Sequence, residues 1–177
     1  MAEVQAMLYL WGNGGDGIAM DRYLAGLCEG ISRGLRGPEG QIQFDIECEA
    51  FVWPEDTAQN VGMIVSEVLT NSCKHAFPPE HPGKVRVRLI SDGANSALLE
   101  LSDGGFGYDS DTSRDGLGMR LVASFAQAIS GNVTIASRPR AGTSVQVRFP
   151  KPAKKTQTDP ASDAGTSAAS SGHPGSE

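Results

Sequence analysis

The sequence lacks any long hydrophobic run, and no window approaches the ~18 consecutive apolar residues that a membrane-spanning helix needs. Its N-terminus has no basic stretch followed by an apolar one, so we expect no signal peptide. A positive balance of charge is also missing, since 15 Lys and Arg stand against 21 Asp and Glu and give a formal net charge of −6. Because such a chain repels polyanions, we expect no nucleic acid among its partners, and the lack of a long apolar run predicts no membrane span.

Cysteine is scarce as well. Cys28, Cys48 and Cys73 are far apart, odd in number and without CxxC spacing. This pattern argues against a disulfide framework and against a structural zinc site, and it favours a cytoplasmic protein in a reducing compartment.

Large hydrophobic residues disappear at the C-terminal end. Residues 151–177 contain no Val, Ile, Leu, Met or aromatic residue, so they cannot bury enough apolar surface to offset the entropy of ordering. We therefore predict a disordered tail over 151–177 and a single folded domain over 19–150. Residues 1–18 precede that domain as a short helical pattern with a glycine-rich linker.

The folded part alternates between two hydrophobic periods. Helical spacing predicts helices at about 2–11, 19–35, 55–76 and 117–130. Alternation predicts strands near 42–46, 51–53, 85–89, 99–101, 132–137 and 143–149, with a hairpin turn at 92–95. Hairpins mixed with helices predict an α+β fold, a two-layer α/β sandwich with helices on one face of a mixed, mainly antiparallel sheet.

A first polar cluster lies on the long helix. At 100° per residue, Glu67, Asn71, Lys74 and His75 fall within about 100° of arc. A solvated rim of the core would explain this face equally well. However, asparagine prefers caps and turns to a mid-helix position, and its amide oxygen suits a hard cation such as Mg²⁺. Lys74 could neutralise a phosphate.

Two glycine-rich segments follow. Asp103 comes at a strand end and precedes Gly104, Gly105 and Gly107. Its carboxylate could accept a hydrogen bond from an exocyclic amine such as that of adenine, although an ordinary Asp-Gly turn would look the same. Further on, Gly116–Gly118 opens a helix, where free N–H groups either bind an anion or are simply capped.

Together these three features offer a metal ligand, an amine acceptor and a phosphate cradle, which a Mg²⁺–ATP site needs. There is no Walker motif GxxxxGK[ST], and the HRD and DFG motifs of ordinary protein kinases are missing. Residues 66–77 (SEVLTNSCKHAF) instead resemble the N box of the GHKL ATPases, the superfamily of gyrase, heat-shock chaperones, sensor histidine kinases and MutL. The segment 103–107 (DGGFG) resembles their G1 box, 116–119 (GLGM) their G2 box, and Gly142-Thr143 the Gly-Thr before the final strand.

The amino-acid sequence of these motifs is most similar to that of bacterial two-component sensor histidine kinases of the short-lid type related to the HWE group. The resemblance implies the Bergerat fold, ATP and Mg²⁺ as cofactors, and transfer of the γ-phosphoryl group to a histidine. It implies that Asn71 holds Mg²⁺, that Glu67 orders the attacking group, and that Asp103 binds the adenine amine with support from Thr143. Lys74 would contact phosphate and His75 would line the phosphate end. The implied ATP-binding set is completed by Gly105, Gly107, Gly116, Leu117, Gly118 and Met119.

The acceptor histidine of such kinases is missing. The three histidines are His75 in the N box, His81 in a proline-rich loop and His173 in the tail. The resemblance makes residues 1–18 a remnant of the dimerisation-helix region, with the acceptor on a His-bearing dimerisation domain or another acceptor protein, and a response regulator as a further partner. Two alternatives stay open: an anti-sigma-factor-type serine kinase that phosphorylates and binds a partner protein, and a non-catalytic ATP-binding signalling module.

Overall fold

The computed structural model describes residues 17–35, 42–78, 83–109 and 117–152. The predicted helix at 2–11, residues 110–116 of the glycine-rich loop and residues 153–177 of the predicted tail lie outside this part. In chain order the elements are β1 (Ile18–Ala19), α1 (Met20–Leu35), β2 (Ile42–Cys48), β3 (Val52–Trp53), α2 (Glu55–Asn71), a π-helical turn (Ser72–Ala76), β4 (Gly83–Ser91), β5 (Ser96–Asp103), α3 (Leu117–Ala128), β6 (Asn132–Ser137) and β7 (Thr143–Pro150).

Five strands form one sheet in the order β2-β4-β5-β7-β6. Strand β2 runs parallel to β4, and the other neighbouring pairs are antiparallel, so the sheet is mixed and mainly antiparallel, as the sequence predicts. The predicted β4–β5 hairpin pairs Leu89 with Leu99, which also pairs with Val147 of β7. No pattern predicts β1, because its two residues, paired with β3 in a separate ribbon, are too few to show an alternation.

The helices cover one face of this sheet and enclose the core. In β4 and β5 every second side chain is buried, as at Val87 and Leu101, because successive strand residues point to opposite faces. Within the described part of the chain, Cys28, Cys48 and Cys73 form no disulfide. Burial raises the pKa of the Cys28 thiol to about 12. The helices contribute Met20, Tyr23, Leu24, Leu27, Ile31, Val61, Ile64, Val65, Val68, Leu69, Val122 and Ala126 to the buried set.

Helix α2 begins after Pro54, whose backbone is extended. Its first turn carries Glu55 and Asp56. Carboxylates at this position are stabilised by the positive end of the helix dipole. The helical segment ends at Ala76, because Phe77 is extended. These bounds match the predicted helix at 55–76. Its last five residues, however, form a π-helical turn, a wider turn that is frequent at functional sites.

Candidate nucleotide-binding site

The carboxylate of Asp103, the last residue of β5, is held by three donors. The backbone N–H groups of Gly105 and Thr143 donate to Oδ1 at 3.0 Å and 3.2 Å. The hydroxyl of Ser72 donates to Oδ2 at 2.9 Å. Two carboxylate oxygens offer about four lone-pair positions, so this half-buried group keeps acceptor capacity for a ligand.

The hydroxyl group of Ser137 holds Thr143 in a hydrogen-bond network. Thr143 Oγ1 and Ser137 Oγ lie 3.0 Å apart. Ser137 also donates to the carbonyl of Gly142 at 3.2 Å and accepts the N–H of Tyr108 at 2.9 Å. Because Ser137 has a single proton to give, Thr143 is the donor between the two hydroxyls. The network ties the loop after β5 to the β6–β7 turn.

Gly105 and Gly107 are required because the loop after β5 packs tightly against other backbone. A Cβ on Gly105 would lie 2.2 Å from the carbonyl oxygen of Ala76, and one on Gly107 would lie 2.1 Å from that of Arg138. Gly107 also has a φ of +57°, which favours glycine. Both glycines therefore allow a close approach to the protein's own chain.

A second polar cluster lies where α3 begins. The half-buried side chains of Glu67 and Asn71 on α2 face Gly118 of α3, and a Cβ at Gly118 would lie 3.0 Å from Asn71 Nδ2 and 3.3 Å from Glu67 Oε2. The helix start therefore lies directly on the Glu–Asn pair. Met119 packs partly against the core, whereas Leu117 is 74% exposed.

Two predicted site residues are exposed, and one cannot be located. Lys74 and His75 lie on the π-helical turn that follows Asn71. The helical wheel assumes 100° per residue, whereas each residue of the wider π-helical turn rotates less about the axis. Gly116 lies outside the described residues.

The two polar clusters lie close together. Asn71 and Ser72 are consecutive residues, and Asn71 faces Gly118 while Ser72 bonds Asp103. The predicted metal ligand and the predicted amine acceptor thus lie at the same end of the sandwich. Sequence reasoning assigns no role to Ser72 or Ser137, although Ser72 lies inside the N-box segment itself.

The fold and these clusters define a class, a two-layer α+β nucleotide-binding domain. Residues 56–153 match the family described as histidine kinase-, DNA gyrase B- and HSP90-like ATPases. The match covers more than half of the sequence, and the chain belongs to this ATPase family. No helix among the described residues is long and apolar enough to cross a membrane.

Within that family the chain is similar to histidine kinases. The blue-light-activated histidine kinase 2 of Erythrobacter litoralis is 30% identical over 142 residues, which make up 78% of this chain and 40% of that protein. This chain thus spans about two fifths of the length of its curated relative.

Solved structures show the same likeness. The Erythrobacter litoralis EL346 blue-light activated histidine kinase matches with a TM-score of 0.72 and 25% identity, over 84% of this chain and 52% of that one. The mycobacterial sensor histidine kinase MprB matches with a TM-score of 0.55 and 20% identity, over 73% and 95% of the two chains. The chain is therefore an ATP-binding domain of the histidine-kinase type.

Proposed function

We propose that this domain binds Mg²⁺–ATP between Asp103 and the Glu67–Asn71 pair and transfers the γ-phosphoryl group to a histidine of a partner domain or protein. The observation that carries the proposal is the Ser72–Asp103 hydrogen bond. Through this bond the carboxylate of Asp103, which would bind the base, contacts the residue that directly follows Asn71, the proposed Mg²⁺ ligand. Membership of the ATPase family and likeness to proteins named as histidine kinases support both halves of the proposal.

At the base end, Asp103 accepts a hydrogen bond from the 6-amino group of adenine. The two backbone donors and Ser72 orient the carboxylate, and Thr143 is in turn held by Ser137. Gly105 and Gly107 allow the loop to pack behind the base. Leu117, Gly118 and Met119, with Gly116, shape the pocket and the lid.

At the phosphate end, the amide oxygen of Asn71 is a hard donor that fits Mg²⁺, which usually takes one or two protein ligands plus phosphates and water. The described residues contain no cluster of three His, Cys, Asp or Glu that could hold a metal alone. Bound Mg²⁺ would neutralise phosphate charge. Glu67 orders the attacking imidazole. The exposed Lys74 and His75 lie on the same helical segment and contact the phosphates.

The transfer itself requires little covalent chemistry from the protein. The imidazole nitrogen of the acceptor forms a bond to the γ-phosphorus as the bond to the leaving ADP oxygen breaks, so the domain contributes mainly positioning and charge neutralisation. We place the acceptor on a His-bearing dimerisation domain or another protein, with a response regulator downstream.

Calorimetry with Mg²⁺–ATP tests binding. We expect Asp103→Asn and Asn71→Ala each to weaken ATP by roughly ten- to hundredfold, because each removes a bond to a charged or metal-bound group. Matched controls are Asp92→Asn, in the β4–β5 turn, and Asn60→Ala, near the start of α2. Wild-type protein that binds no nucleotide, or controls as weak as the site variants, would refute the proposal.

Incubation with labelled ATP and a His-bearing dimerisation domain tests transfer. We expect label on the partner that is lost in acid and kept in alkali, as for phosphohistidine. Acid-stable label would contradict this assignment and indicate a serine kinase, whereas binding without transfer to any acceptor would indicate a non-catalytic module.

A further inference from the structure

Ser72 is a buried polar residue that contacts Asp103, and the proposed function does not describe its effect on nucleotide specificity. The residue is 6% exposed, and its hydroxyl donates to Asp103 Oδ2 across 31 residues of sequence. A buried hydroxyl that bonds an ionised acceptor is a strong, charge-assisted interaction.

The donors on Asp103 are divided between its two oxygens. Oδ1 receives two backbone N–H groups, from Gly105 and Thr143. Oδ2 receives its one described bond from a side chain, that of Ser72. A change of side chain leaves the two backbone N–H donors in place. The hydrogen bond to Oδ2 is therefore the one that a substitution can add or remove.

Rotation about the terminal bond of an aspartate is soft. Donors on one oxygen leave the carboxylate free to tilt, whereas donors on both oxygens fix its plane. With Ser72 as donor, Oδ2 presents its remaining lone pair in a fixed direction as an acceptor.

We propose that Ser72 is a positioning and specificity-determining residue that aims Asp103 Oδ2 at the 6-amino group of a purine nucleotide. The inference rests on the proposed function, since it assumes that Asp103 reads the base. A 6-oxo purine would place its own acceptor oxygen against Oδ2. A site built for one hydrogen-bonding pattern rejects the other by leaving polar groups unpaired.

The place of Ser72 in the fold adds a structural reason. It is the first residue of the π-helical turn and directly follows Asn71. The bond to Asp103 therefore fixes the C-terminal end of α2 against β5, at the point where the amide of Asn71 faces α3.

The test compares Mg²⁺–ATP with Mg²⁺–ITP, which carries a 6-oxo group in place of the amine, by calorimetry on wild-type protein and on Ser72→Ala. We expect Ser72→Ala to weaken ATP by about three- to tenfold, the scale of one hydrogen bond. Binding of ITP should stay within about twofold, so that the preference for ATP falls by the same factor as ATP affinity. Ser102→Ala serves as control, because this neighbour of Asp103 lies on the opposite face of β5.

The outcomes separate the two claims. If wild-type protein prefers ATP and Ser72→Ala keeps both affinity and preference, the inference about Ser72 is wrong while the proposed function stands. Equal losses of ATP and ITP would also overturn it, since they indicate a general loosening of the pocket. Failure of the wild-type protein to bind either nucleotide would refute both. Ser72→Ala removes a single oxygen atom, and a thermal melt of each variant verifies folding.

Discussion

Single atoms determine how α1 packs on α2. Gly62 lies under Tyr23, and a Cβ at Gly62 would come within 1.9 Å of the Tyr23 hydroxyl oxygen. That hydroxyl is buried and has no hydrogen-bond partner among the described residues, and burial raises the pKa of Tyr23 above its ordinary value. The ring therefore fills space next to a glycine, and its oxygen makes no compensating bond.

We expect Gly62→Ala to lower the free energy of unfolding by about 2 kcal/mol or more, because the added methyl group overpacks a closed contact. Chemical denaturation measures the change. Tyr23→Phe should stay within about 1 kcal/mol of wild type, since it removes an unpaired polar atom. The double variant should be less destabilised than the sum of the two, and strict additivity would contradict the contact.

Residue types also determined which site positions the sequence could indicate. Asn71 in mid-helix and Asp103 at a strand end are unusual in their local setting, so both can be selected without a structure. Ser72 and Ser137 are ordinary residues locally. Their roles come from partners 31 and 6 positions away, and no local pattern reports such contacts.

At the scale of elements, the loop after β5 is fitted onto the π-helical turn. The N–H of Phe106 donates to the Ala76 carbonyl at 2.8 Å, and Gly105 lies against that same carbonyl. Neighbouring Gly104, by contrast, has open space where a Cβ would project. The contact with Ala76 therefore requires glycine at position 105, whereas packing against the described residues does not require it at position 104.

We expect Gly105→Ala to weaken Mg²⁺–ATP binding by at least roughly tenfold. The added Cβ forces the loop away from Ala76, and the N–H of residue 105, which donates to Asp103, moves away with the loop. Gly104→Ala is the matched control and should bind like wild type. Calorimetry on both variants decides. Similar affinities for the two variants would show that the packing on Ala76 does not hold the site.

At the scale of the whole molecule, the sheet face opposite the helices is held by ion pairs between strands. Arg88 of β4 contacts Glu47 of β2 at 2.8 Å and Glu100 of β5 at 3.1 Å. The Arg88 side chain lowers the pKa of Glu47, and Arg86, then Lys84, lowers that of Asp45. The carboxylates of Glu47 and Asp45 are largely exposed, so water and salt screen their pairs, whereas Arg88 and Glu100 are half-buried.

A carboxylate whose pKa is lower in the folded state stabilises the fold above its unfolded value, near 4, and this contribution disappears as the pH falls through the folded pKa. We therefore expect stability to decline with acid below about pH 4.5. Arg88→Met should make that decline shallower, as followed by urea denaturation from pH 7 to 3. Arg138→Met, whose side chain forms no ion pair within the described part of the chain, should keep the wild-type slope, and an unchanged slope in Arg88→Met would contradict the prediction.

The sequence by itself determined the fold class and every element except β1, because hydrophobic periodicity and glycine or proline boundaries act within a few residues. It also indicated Asn71 and Asp103 and the family resemblance. Only the tertiary structure decided that α2 continues into a π-helical turn, that Glu67 and Asn71 face Gly118, and that Ser72 contacts Asp103. These features depend on packing between segments distant in sequence, and local preferences cannot encode such contacts.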